Sequence, residues 1–142
     1  MYEPIRTKSV HSTMAGTSDF PHRTRGEELD IQLAGHLAAL LAVTDDLRAQ
    51  TPSDDLDTAA EQLAQQVARL RGGRPPARTA TPGTTRPAAL HRRAHALAGR
   101  ALVVAASRAD TAAAILAAER MDAHTAALAT DTPATDTLAA TA

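Results

Sequence analysis

The 142-residue chain contains no cysteine and no tryptophan. Without cysteine there is no disulfide framework, no thiolate nucleophile and no cysteine-ligated zinc. The aromatic residues are Tyr2 and Phe20, both ahead of the helical region. The core therefore has no aromatic anchor, and no aromatics alternate with basic residues to stack nucleic-acid bases. Lysine occurs once, as Lys8. Long apolar runs are missing as well. Ala101 to Ser107 lies between Arg100 and Arg108, and Thr111 to Ala118 is closed by Glu119. Both fall far short of the roughly 20 apolar residues a membrane span needs. The first 23 residues lack the apolar centre of a secretory signal. The expectation is a soluble, cytoplasmic chain with no membrane partner.

Alanine fills 34 positions and threonine 18. The length suits one domain. Residues 1–23 show no period and are expected to be a disordered arm, with Met14 as an alternative first residue. A single helical domain is expected over 24–130. Its first helix, about 25–50, opens on a capping box, Thr24 and Glu27 three apart. Leu29, Leu33, His36 or Leu37, Leu40, Val43 or Thr44, and Leu47 then form one apolar stripe. A second helix, about 52–71, is expected to start with Thr51 as cap and Pro52 in its first turn. Leu56, Ala60, Leu63, Val67 and Leu70 continue the stripe, and Gly72-Gly73 stops it. The pair forms an antiparallel hairpin. A loop rich in Pro, Gly and Arg covers 72–86.

The remainder, about 87–130, admits two readings. The first is one unbroken third helix, a rod of roughly 65 Å that would overhang the hairpin and call for a second chain. The other is a break near 105–109, where Ser107 and Asp110 have cap spacing, giving a four-helix bundle within one chain. The fold class is all-α in both. Residues 131–142 are low in complexity and expected to be disordered. With 21 Leu, Ile, Val and Met residues between Glu27 and Leu128, the core is thin, which favours a homodimer that shares apolar surface. Leu33, Leu37, Leu40, Leu63, Val67, Leu97 and Val104 are the candidate helix-packing interface.

Charge is segregated. Glu27 to Glu61 holds nine acids and one base, Gln62 to Ala109 nine arginines and no acid, and Asp110 onward five acids and one base, Arg120. One reading is complementarity, with the acidic hairpin facing the basic loop and helix within or between chains. The other is an anion site at Arg92, Arg93 and Arg100, where cations oppose the dipole at a helix start and a bound anion would relieve the conflict. Nucleic acid is the less favoured partner: the net charge is −1 and no binding motif is present. His91 and His95 share a helix face but make only two ligands, beside Arg92 and Arg93, and read as surface residues. His36 reads as a partly buried residue at the stripe's edge. There is no Glu-x-x-His, no His-Glu-x-x-His and no glycine-rich phosphate loop. Asp45-Asp46 and Asp54-Asp55 sit at helix ends, where carboxylates are solvated. No catalytic residue, metal or cofactor is expected. The expected role is a non-enzymatic interaction or assembly module, partnered by itself or by another helical protein. The alternative is an arginine-patch binder of nucleic acid or another polyanion.

Overall fold

A computed structural model describes residues 23–78 and 83–131, so both predicted disordered ends lie almost entirely outside the described residues. Four helices form: α1 (Arg25–Gln50), α2 (Asp54–Leu70), α3 (Pro87–Arg108) and α4 (Thr111–Asp131). No described helix is long and apolar enough to cross a membrane.

Local chemistry sets each boundary. The Thr24–Glu27 capping box is present in both directions, at 2.7 and 3.0 Å. Ser53, rather than Thr51, caps α2: its Oγ accepts from the Leu56 N–H, which leaves Pro52 outside the helix. α2 ends in a Schellman motif. Gly73 N–H donates to Ala68 and Gly72 N–H to Arg69, and Gly72 has φ +70°, a conformation that favours glycine. Pro87 opens α3.

The single long helix over 87–130 does not form; the four-helix alternative does. α3 stops in a second Schellman motif, with Ala109 N–H donating to Ala106 and Asp110 N–H to Ala105. Ala109 takes the left-handed position at φ +57°. The cap of α4 is Asp110 itself, whose Oδ1 accepts from the Ala113 N–H at 3.1 Å. Ser107 does not cap; its hydroxyl donates back to the Val103 carbonyl.

The helices run up, down, down, up. α1 packs on α2 and α3, α3 packs on α4, and α2 meets α4 along a thin seam. α2 and α3 do not touch, nor do α1 and α4, so each pair stands on a diagonal. The long connection 71–86 crosses from the end where α2 stops to the end where α1 stops. Gln50 Nε2 donates there to the Thr85 carbonyl at 2.8 Å. Two of the three packed seams join antiparallel neighbours through short turns, and the crossover supplies the third.

Leucines from α1 fill the centre. Leu33, Leu37, Leu40 and Leu47 are fully buried, each contributing about 2 kcal/mol. The inner face of α3 carries Ala94, Ala98, Ala101 and Ala105 instead, all fully buried. Large side chains on one helix thus meet small ones on the next, and the axes approach closely without aromatics. The candidate packing residues Leu33, Leu37, Leu40, Leu63, Val67 and Leu97 are all core of this one chain, with Val104 half-buried against it. Among the described residues, Ile31, Val103 and Ile115 are the large apolar side chains left exposed.

Ala109 carries a Cβ in a conformation that costs an L-residue about 1 kcal/mol. Ala109→Gly is expected to raise unfolding stability by about 0.5–1 kcal/mol in urea titrations, and Ala109→Val to lower it. Equal stability of Ala109→Gly and wild type would show that the left-handed alanine stores no strain at this turn.

Candidate functional site

The arginine block divides. Three of its members hold the fold together. Arg78, in the crossover, donates from Nε and Nη2 to the two oxygens of Asp45 at 2.8 Å, and Arg48 donates to the same carboxylate at 3.1 Å. Arg48 also reaches Asp57 in the first turn of α2 at 2.9 Å. Burial alone would raise the Asp45 pKa; the hydrogen bonds from Arg78 and Arg48 outweigh it and hold the carboxyl below its ordinary value. Arg69 ties the end of α2 to Asp110 at 2.8 Å, and Arg108 ties the end of α3 to Asp30 at 3.0 Å. The Arg108 guanidinium lies across Gly26, where a Cβ would come within 3.0 Å of it. Complementarity between the acidic hairpin and the basic block therefore operates inside the chain at Arg78–Asp45 and Arg108–Asp30, while Arg69 pairs with an acid of the α3–α4 turn.

The candidate anion-binding residues behave differently. Arg92, Arg93 and Arg100 are exposed and enter none of the ion pairs among the described residues. They share the outer arc of α3 with Val103, which is 66% exposed.

A second cluster lies where α2 begins and α4 ends. The Arg120 side chain is 5% exposed and donates through Nη1 to both oxygens of Asp55, at 3.1 and 3.2 Å. One turn on, His124 is 1% exposed. The Nδ1 atoms of His124 and His91 are 2.9 Å apart, so one ring donates its proton to the other. Arg120 Nε and His124 Nε2 are buried and have no partner among the described residues. Placing the His124 proton on Nδ1 keeps a lone pair, not a second N–H, at Nε2 near the guanidinium's field. His124 then donates to His91. Burial, the Arg120 charge and His91 together push the His124 pKa down to about 4, while Asp55 pulls weakly the other way. Burial also lowers His91, against a rise from Asp131. Both rings are neutral at neutral pH. They line a recess of about 340 Å³ with Thr51, Ser53 and Asp55.

His91 is thus half-buried, and its ring meets His124 rather than His95. His36 is half-buried at the stripe's edge, as its position suggests. Arg120 reads from sequence as the one base in an acidic block, yet a signal for its burial exists. Ala113, Leu116 or Ala117, Arg120 and His124 continue one helical stripe. Among the described residues no three His, Asp or Glu side chains gather as a metal-ligand set.

The depressed His124 pKa fixes a pH dependence. The unfolded ring protonates near its ordinary 6.5 and the folded ring only near 4. The stability is therefore full above pH 6.5 and is lost as pH falls through that window. Unfolding free energy from urea titrations is expected to drop by about 2.5 kcal/mol between about pH 7 and about pH 4.5. His124→Leu should flatten this window. A variant profile as steep as wild type would show that the loss arises elsewhere. No protein-family profile matches this chain, and neither the curated proteins nor the solved structures provide a match to it.

Proposed function

We propose that this protein is a non-enzymatic interaction and assembly module of the cytoplasm, docking through the outer face of α3 onto an acidic helical surface of another protein or of its own kind. One observation carries the reading: Arg92, Arg93 and Arg100 stand exposed around Val103 with no ion pair among the described residues, on a helix that has no acidic residue. At 100° per residue, positions 92, 93, 96, 100, 103 and 107 fall within one arc of about 100°. The arc has guanidinium groups at both edges, Arg92 at one and Arg93 with Arg100 at the other, with Val103, Ala96 and Ser107 between them. A helix with apolar residues flanked by carboxylates is complementary to it. Such charge matching sets orientation and encounter rate more than affinity. The arginines that hold the fold are different ones, so occupying this face costs the bundle no internal contact.

A polyanion is the second reading, and it has its own observation. The α3 N-cap, Arg86, makes no side-chain capping bond. The free N–H groups of the first turn therefore add to Arg92 and Arg93 as donors toward a phosphate. Charge and composition favour the first reading: the chain is net acidic, and no aromatic residue lies between 21 and 142.

Fluorescence anisotropy separates the two. The probes are a labelled amphipathic helical peptide with glutamates flanking leucines, and a labelled DNA duplex of mixed sequence. Peptide binding is expected, weakening about tenfold or more in Arg92→Glu/Arg93→Glu/Arg100→Glu. Tighter binding of the duplex, with a steep salt dependence, would transfer the assignment to polyanions. Binding of neither probe would remove α3 as a docking face.

A further inference from the structure

The acidic surface that the arginine arc fits is present on the chain itself, and we infer that copies associate head to tail, the outer face of α3 on one copy against the outer face of α2 on the next. This rests on the reading of α3 as a docking face and names its occupant.

Three observations converge. The outer face of α2 carries Asp54, Asp57 and Glu61 with Thr58 and Gln65, all exposed. Of these acids, only Asp57 is engaged among the described residues, by Arg48. Second, α2 and α3 stand on a diagonal without touching, so their outer faces look in opposite directions and cannot neutralise each other within one molecule. Third, the two helices run parallel, and their charges lie at the same level. Asp55 on α2 and His91 on α3 line one recess. From that level Asp54 to Glu61 descends about 10 Å and Arg92 to Arg100 about 12 Å. A sideways translation of one copy therefore sets acids against arginines in register.

The symmetry follows from the charges. A two-fold contact pairing α3 with α3, or α2 with α2, would oppose like charges. The heterologous contact opposes unlike ones and leaves each end of the assembly with an unmatched face. Growth is open unless curvature closes it. Exposed ion pairs are individually weak and screened by salt. The association is accordingly weak, expected at protein concentrations on the order of 100 µM, and salt-sensitive.

Sedimentation velocity over a concentration series tests this on the full chain, at about 20 mM and about 500 mM salt. An average mass that grows with concentration at low salt and returns to monomer at high salt is expected. An acidic variant, Arg92→Glu/Arg93→Glu/Arg100→Glu, and a basic one, Thr58→Arg/Glu61→Arg/Gln65→Arg, should each stay monomeric alone. Mixed in equal amounts, they should associate again. All six side chains are exposed, and circular dichroism checks that both variants fold. A wild type that is monomeric throughout at low salt overturns the inference while leaving peptide docking on α3 intact. So does an oligomer that ignores salt and both variants, which would place self-association on another surface. A mass increase seen only with added DNA duplex overturns it in favour of a polyanion.

Discussion

The carboxylate of Asp110 is the contact on which the arrangement of the bundle depends. One oxygen caps the first turn of α4 and the other holds Arg69 at the end of α2. Its backbone N–H closes the α3 terminus on Ala105. Three helix ends thus meet at one residue. Burial alone would raise the Asp110 pKa, but Arg69 and the Ala113 N–H keep the group below its ordinary value. Without this turn, α4 would continue the line of α3 away from the core. The inward faces of both helices would then need a second chain to cover them. With it, the apolar stripes close inside one molecule, and the contacts left for other molecules are those of the outer surface.

That turn also marks the limit of what the sequence makes legible. The first two helices are readable because periodicity, capping chemistry and glycine stops agree at Thr24, at Leu29 to Leu47 and at Gly72. Around Ala109 the local signals conflict. Alanine is the strongest helix former, yet it occupies the left-handed position that glycine prefers. The cap spacing at Asp110 is a local signal for the break, and it competes with the helix propensity of the alanines around it; the bond from Asp110 to Arg69, far away in sequence, is what no local pattern displays. Arg120 and His124 are harder to read for a related reason. Their helix spacing is visible, but polar residues on an apolar stripe become meaningful only once His91 and Asp55 are known to face them. The division of the arginine block is likewise tertiary. Nothing in composition separates Arg78, bound to Asp45, from Arg93, bound to nothing in the described chain.

Separating these arginines changes what the charge segregation means. A block of nine arginines could be a uniform basic surface, but Arg69, Arg78 and Arg108 serve as fasteners at the two ends of the bundle. Arg78 anchors the crossover, whose described residues form no helix and so depend on side chains to follow one path. Asp45 is buried enough that it requires a cation, and the loop arrives with one. Of the block's arginines outside ion pairs among the described residues, Arg71, Arg74 and Arg86 border or lie in the crossover, and Arg92, Arg93 and Arg100 sit on α3, with acids on α2 across the diagonal. The polarity of the molecule is therefore lateral, across the bundle, and follows from which helices the topology keeps apart.

The seams are closed by different means. Leucine against alanine seals α1 to α3 and contributes to the other apolar seams. The α2–α4 seam is thin, and ion pairs hold its ends: Arg69 with Asp110 at one, Arg120 with Asp55 at the other. Glutamines and Ile115 border the groove between. Polar groups are buried where apolar closure is weakest, and this is where the unpartnered Arg120 Nε and His124 Nε2 are found. A buried guanidinium with an unmatched donor, beside two rings that must stay neutral, is a local cost that the rest of the core offsets. Adding a proton there puts a second positive charge beside the first, in a place shielded from water. The end of α4 is thus a part of the bundle that acid weakens. Its loosening would open the recess that His91 and His124 line.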